Sequence, residues 1–385
     1  MSFDAAAIAR RIKAVLPPSN RPVALHEPVL GEAEKRRLAE CIDSGWVSYG
    51  GPAVAAFEGE IARVCGTRHA VAVVNGTVAV EMALRLAGVQ PGDEVFCPDL
   101  TFVGTANAIV HVGAVPHFID SERASLGLSP AALAARLAEV AVRRPQGPIN
   151  RETGRLISAV MPMHTFGHPV DMDGVNRVAA DWGLAVVEDA AEAFGSLYGG
   201  RPCGSLARIG AVSFNGNKVV TTGGGGAIVT DDDALAARAR HLTTTAKLPH
   251  PYLFLHDEVG YNYRLPALNA ALGLAQMEQY DGFLTAKRRL AERYAALFAG
   301  DPDVEFVAEP AGSRSLYWLC AVLVPDRAAR EALLAATHAE GLLTRPAWTL
   351  MHRLAMFADC PRGAVPVAEM LEDRLVCLPS SATLA

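Results

Sequence analysis

The sequence predicts an α/β fold: a large domain with a mainly parallel, mixed sheet flanked by helices, followed by a smaller C-terminal α/β domain. Two observations carry this. Short apolar runs alternate along most of the chain with amphipathic stretches of helical period, the rhythm of strands joined by helical crossovers. Several of those runs are continuously apolar, as strands buried on both faces are.

In chain order, residues 3–16 read as an amphipathic helix stopped by Pro17 and Pro18, and a short extended arm, RPVALHEP, follows. Residues 31–44 and 53–65 read as helices, and 70–74 as a buried strand that ends at Asn75-Gly76-Thr77. Helix 78–87, strand 94–97, helix 105–113 and strand 115–119 continue the alternation. After a gap it resumes with strand 156–161, helix 173–182 and strand 185–188, and residues 143–155 between are read as a loop. A long helical segment over 266–298 is predicted to connect the lobes. Strands 304–307 and 318–324 and helix 326–340 make the smaller one. The expected division is 1–49 for the N-terminal helix and arm, 50–280 for the large domain and 281–385 for the small one.

The 385 residues are 51% hydrophobic and 20% charged, with a mean hydropathy of +0.20, which describes a folded chain with a large core. The formal net charge of -6 offers no basic patch, so no nucleic-acid partner is expected. No apolar run reaches the roughly 18 residues of a membrane helix. The N-terminus, with Asp4, Arg10, Arg11 and Lys13, lacks the apolar core of a signal peptide. A cytoplasmic protein with no membrane partner is expected. The seven cysteines are scattered without a Cys-x-x-Cys pair, so reduced, buried thiols and no metal are expected.

Ligands of such sheets bind beyond the carboxyl ends of the strands, which makes the polar residues closing each apolar run the candidates. Asn75-Gly76-Thr77 opens a helix, where backbone N–H groups and a hydroxyl can receive an anion. Taken alone, a helix cap explains these residues more simply. The run LAVVED delivers Glu188 and Asp189 to the mouth of the sheet. A carboxylate there can hold a proton on a pyridine nitrogen, as enzymes using pyridoxal 5′-phosphate (PLP) require, and a cap on the next helix is an equal account. In AVSFNGNKVVTTGGGGAIVTDD, residues 211–232, Lys218 stands between two apolar runs and before a run of glycines. A lysine that forms a Schiff base needs a desolvated position and a backbone able to approach a flat cofactor. The glycines alone also fit a turn with an incidental lysine, but a P-loop is excluded because the lysine precedes them.

Together these segments resemble the DegT/DnrJ/EryC1/StrS sugar aminotransferases, PLP enzymes of fold type I. The resemblance runs from GWVSYGGPAVAAFE (45–58) through MHTFGHPVDMD (163–173) and VEDAAEAFGS (187–196) to GYNYRLPALNAALGLAQ (260–276). LHEP (25–28), TTTAKLPHPY (243–252) and TRPAWTLMH (344–352) are similar to the subgroup that aminates C4 of UDP-linked 4-keto-6-deoxy-2-acetamido sugars on routes to bacillosamine and legionaminic-type sugars. The resemblance implies Lys218 as the Schiff-base lysine, Asp189 as the acid on the pyridine nitrogen and Phe102 as the ring stacked on the cofactor. It implies Gly76, Thr77 and Ser213 at the phosphate, Glu192 beside the ring, and Asn262 reaching the phosphate of a neighbouring subunit. His164, Asn217, Lys247, Arg345 and Trp348 are the residues expected on the substrate side, with His164 also a candidate for orienting Asp189. The implied partners are a nucleotide sugar and L-glutamate, and the implied assembly is a homodimer with shared sites. Members that remove a C3 hydroxyl carry His in place of this lysine, so Lys218 argues against that branch.

Two other readings compete. A desulfurase or aldolase of the same fold type is disfavoured because no cysteine has the setting of a mobile catalytic loop. A non-catalytic PLP-binding regulator is disfavoured by the presence of both Lys218 and Asp189.

Overall fold

The computed structural model describes residues 3–385. Helix α1 (Ala5–Ala14) starts on the side chain of Asp4, and α2 (Glu32–Asp43) follows the arm. Helix α3 (Pro52–Cys65) begins with proline, whose missing N–H is not needed there, and stops at Gly66 with φ 65°. Strand β1 (His69–Val73) feeds α4 (Gly76–Leu86), and β2 (Glu94–Pro98), α5 (Val103–His111), β3 (Val115–Ile119) and α6 (Pro130–Val140) continue the pattern. β4 (Ile157–Val160), α7 (Met172–Trp182), β5 (Ala185–Asp189), β6 (Ile209–Ser213), β7 (Gly226–Thr230) and α8 (Asp233–Thr243) complete the large unit.

The seven strands lie in the order β1-β7-β6-β5-β4-β2-β3. Strand β7 pairs antiparallel with both neighbours, whereas every other neighbouring pair is parallel. The carboxyl ends of β1, β2, β4, β5 and β6 therefore open along one edge of the sheet. Both faces are covered, because successive residues of β1 enter opposite cores. Ala70 and Ala72 pack with Phe57 and Ile61 of α3, while Val71 and Val73 pack with Met82 and Leu84 of α4.

The remainder holds α9 (Ala267–Met277), α10 (Tyr280–Leu297), β8 (Glu305–Phe306), β9 (Cys320–Leu323), α11 (Arg327–Ala339), β10 (Arg345–Pro346), α12 (Pro366–Arg374) and β11 (Leu375–Leu378). Its strands form an antiparallel sheet in the order β8-β9-β11-β10. Ile8 and Ile12 of α1 enter the same core as Tyr294, Val322 and Leu333, so the first helix packs on the C-terminal unit.

Two expectations are corrected and three helices are added. Residues 143–155 are not a plain loop, because Ala141–Arg144 and Gly147–Asn150 pair as an antiparallel hairpin. The 266–298 segment is two helices, broken at Glu278 and Gln279, where the Gln279 amide turns to donate to Glu34 Oε1 at 2.8 Å. Helices α6, α8 and α12 occupy stretches the periodicity left unread, although Asp232 caps α8 by accepting from Ala234 N and Leu235 N. Among the described residues no helix is long and apolar enough to cross a membrane.

Candidate active site

A cavity of about 660 Å³ lies at the open strand ends and is closed from the other side by the arm and the C-terminal unit. Gly76, Thr77, Phe102, Asp189, Glu192, Ser213, Asn217, Lys218, Arg345 and Trp348 all line it.

Lys218 sits in the loop that leaves β6, its backbone N–H donating to Asn215 O at 2.9 Å. Its Nζ lies 3.4 Å from Glu192 Oε1 and 3.6 Å from the centre of the Trp318 ring. Trp318 is fixed in turn, since its indole N–H donates to Asn217 O at 2.8 Å. Burial pulls the pKa of Lys218 down, with Glu192 and Asp189 opposing. Burial likewise pushes Glu192 up to about 7, against the pull of Lys218. The other oxygen of Glu192 accepts from Phe166 N at 2.9 Å. Phe166 makes this contact while holding φ 56°, a backbone form costly for a bulky residue.

Asp189 ends β5 and is buried. Its Oδ2 accepts from Thr105 Oγ1 at 2.8 Å, and Thr105 is linked to Thr101 at 2.9 Å. Its Oδ1 accepts from Ala191 N at 3.1 Å. Burial raises its pKa, with Thr105 the leading counterweight. A carboxyl group placed in a cavity wall with no cation of its own in contact is suited to a cationic N–H from a ligand.

The N-terminus of α4 forms a cradle against β6. Asn75 caps it by accepting from Val78 N at 2.8 Å, which leaves the first N–H groups facing the cavity beside Ser213. Close packing demands glycine at 76, since a Cβ there would lie 2.7 Å from Ser213 Cβ. Phe102 precedes α5 and keeps 49% of its surface exposed, a flat apolar face at the cavity with Trp348 6.3 Å away, centre to centre. The donor and apolar sets thus suit a flat ring that bears an anionic group at one end and a basic nitrogen at the other.

Three expected site residues lie elsewhere. His164 is fully buried, with Nδ1 accepting from Val170 N at 3.0 Å and Nε2 2.9 Å from Glu188. Both nitrogens are consumed within the protein, so its assignment to the substrate side is corrected, and it joins Glu188 in tying β4 to β5. Lys247 is exposed on a short hairpin, its Nζ 4.5 Å from the Phe254 ring centre, and is outside this chain's cavity. Asn262 is also exposed and outside it, pairing with Thr244 as an isolated bridge. Sequence reading passed over His26, Thr105 and Trp318. LHEP was a marker without a role for His26, and nothing local distinguishes Thr105 or Trp318 from core residues.

A family model described as the DegT/DnrJ/EryC1/StrS aminotransferase family matches residues 28–385. The chain is 34% identical over 363 residues to a GDP-perosamine synthase of Escherichia coli O157:H7, covering 94% of each protein. It is 33% identical over 325 residues to a UDP-N-acetyl-3-dehydro-alpha-D-glucosamine 3-aminotransferase of Acidithiobacillus ferrooxidans, covering 84% of this chain and 82% of that protein. The aminotransferase TlmJ of Streptoalloteichus hindustanus superposes with a TM-score of 0.85 at 29% identity, over 94% of this chain and 95% of that one.

Proposed function

The chain belongs to the DegT/DnrJ/EryC1/StrS aminotransferase family of PLP-dependent transaminases, and on that premise we propose that it moves an amino group from L-glutamate to the C4 ketone of a nucleotide-linked 4-keto-6-deoxy sugar. The acceptor proposed is UDP-linked and 2-acetamido. The observation that carries the reading is the convergence of Lys218, Glu192 and Asp189 on one cavity beside an anion cradle. LHEP, TTTAKLPHPY and TRPAWTLMH support the acceptor class. Similarity to an enzyme named for a UDP-N-acetyl sugar supports the nucleotide, while similarity to a GDP-perosamine synthase supports a GDP-linked acceptor as the second reading.

The residues present fit PLP. Backbone N–H groups at Gly76 and Thr77 with the Ser213 hydroxyl would hold the phosphate, Phe102 would cover one ring face, and Asp189 would face the pyridine nitrogen. Bound there, the cofactor would supply an electron sink for the transfer. Lys218 would hold it covalently at Nζ. Once displaced by the donor amine, the same Nζ would be placed to take the proton from the donor α-carbon and hand it on, so that a single desolvated amine would be both leaving group and general base. Glu192, which burial keeps partly protonated near neutrality, exchanges that proton with Nζ across 3.4 Å. Burial raises the Asp189 pKa, and a cationic N–H on the ring nitrogen would offset that burial, so the carboxylate and the protonated nitrogen would stabilise each other. Over the full cycle glutamate would become 2-oxoglutarate with the uptake of one water, and the sugar ketone would take the nitrogen with the release of one, so that the two halves balance.

A homodimer with shared sites is part of the proposal. Asn262 and Lys247 are exposed and outside their own cavity, close in sequence to Tyr252 and Phe254, which are 80% and 82% exposed. A second subunit covering this region would bring those polar groups to its own cavity. The function is tested by incubating enzyme, PLP and glutamate with UDP-, GDP- and dTDP-linked 4-keto-6-deoxy sugars. Product mass and proton couplings then identify nucleotide, position and C4 configuration. Amination of none of them would sink the reading.

A further inference from the structure

His26 belongs to the arm between α1 and α2, which is pinned to the C-terminal unit. Val23 N donates to Gly341 O at 2.8 Å and Ser380 N to Leu25 O at 2.7 Å, while Glu27 N donates to Ser381 Oγ at 2.8 Å. Pinning on both sides carries the imidazole into the wall of the cavity, next to Trp318 at 6.5 Å between ring centres. Both ring nitrogens are sealed from solvent, and neither has a hydrogen-bond partner. The carbonyl of Asn217, which favours the protonated ring, accepts the indole N–H of Trp318 at 2.8 Å and lies outside hydrogen-bond geometry for both imidazole nitrogens. Two buried, unpartnered polar atoms on a residue that lines a binding cavity are a cost that a ligand settling against that wall can remove.

Burial holds the imidazole in its neutral form, and the neighbouring charges of Lys287 and Lys218 push the same way. A neutral imidazole offers one N–H and one lone pair. A carboxylate only accepts, so either carboxylate of glutamate would satisfy one nitrogen and leave the other open. A hydroxyl or an acetamido group both donates and accepts. Sugars carry such groups, and the amino donor's side chain does not.

We infer that His26 is a specificity contact for the acceptor, hydrogen-bonding through its two ring nitrogens to hydroxyl or amide groups of the sugar and not to the amino donor. This rests on the proposed nucleotide-sugar reading. The contact takes no part in proton transfer, so its loss weakens the second half of the reaction alone.

The test uses His26→Leu, which keeps an apolar side chain of similar size, and His26→Gln, which keeps one donor and one acceptor. Each half-reaction is followed separately in the holoenzyme: 2-oxoglutarate formed in a single turnover with glutamate, then amination of the UDP-linked 4-keto-6-deoxy-2-acetamido sugar. UDP alone is titrated as a control for the nucleotide. His26→Leu should leave the glutamate half-reaction and UDP binding within about twofold of wild type. It should lower kcat/KM for the sugar about 10- to 100-fold, chiefly through KM, the scale of two neutral hydrogen bonds. His26→Gln should recover part of that loss. An equal fall in the glutamate half-reaction, or an unchanged kcat/KM for the sugar, would overturn the inference while leaving the functional reading intact. A wild-type enzyme that aminates none of the UDP-, GDP- and dTDP-linked sugars would overturn both.

Discussion

Lys218 Nζ lies 3.4 Å from Glu192 Oε1, and burial drives the two groups towards their neutral forms from opposite ends of the pH scale. Such a pair is poorly described as a structural ion pair. The shifts bring an amine and a carboxyl group towards each other on the pH scale, as suits groups that exchange protons.

Glu192 should leave a mark on stability. Its carboxyl titrates at about 7 in the folded chain against an ordinary 4.5, so the folded state holds the extra proton between those values. Its stabilising contribution is complete below the lower value and lost as pH rises through the upper one. Glu192→Gln removes the titration. Thermal melts of cofactor-free protein should show wild type losing on the order of 5 °C relative to the variant between pH 4.5 and 7. Parallel curves would show that this carboxyl is not raised.

Asp189→Asn should fold, because an amide oxygen can still accept from Thr105 or Ala191. Turnover should fall about 100-fold or more, since a neutral amide does not stabilise a protonated ring nitrogen. Steady-state kcat beside circular dichroism of the variant checks both statements. Near wild-type kcat would remove Asp189 from this role.

Gly76→Ala tests the cradle. Its Cβ would lie 2.7 Å from Ser213 Cβ and 2.8 Å from Ser213 Oγ, which forces α4 away from β6 at a cost of about 1–3 kcal/mol. Urea unfolding should show that loss. The double variant Gly76→Ala/Ser213→Gly should recover stability without recovering PLP affinity, measured by equilibrium dialysis. Full affinity in either variant would separate the cradle from the phosphate.

The strand-and-helix rhythm was readable because each buried strand is a short apolar run and each crossover an amphipathic helix. β1, β3 and β5 follow directly from 70–74, 115–119 and 185–188. The reversal of β7 was not readable, because an apolar run carries no direction. The hairpin of residues 141–150 is not readable because its Pro, Gly and Asn are loop residues in isolation. In the site, Lys218 and Asp189 stood out as polar residues ending buried runs. Thr105 and His26 do not stand out, because Thr105 acts through Asp189, far away in sequence, and His26 reaches the cavity only once the arm is pinned on the C-terminal unit, arrangements that exist only in the folded chain. His164 is consumed by Val170 N, six residues on, and by Glu188, which β5 brings beside it, and neither contact is visible in the residue type alone.

The shared-site proposal is checked by mixing. Lys218→Ala subunits and Asn262→Ala subunits, each strongly impaired alone, should regain activity when co-assembled, approaching about one intact site per mixed dimer. No recovery despite verified subunit exchange would confine the site to one chain.

The central claim is that Lys218 carries the cofactor, and the chain provides its own control. Lys287 is also buried, with its pKa pulled down to about 7 by burial, but its Nζ donates to Trp318 O at 3.1 Å and to Ser380 O, and it does not line the cavity. Borohydride reduction of the holoenzyme followed by peptide mass mapping reads the attachment point directly. The cofactor mass should appear on the peptide containing Lys218 and disappear in a folded, inactive Lys218→Ala variant. Cofactor on the Lys287 peptide, or a Lys218→Ala enzyme that still turns over, would contradict the account.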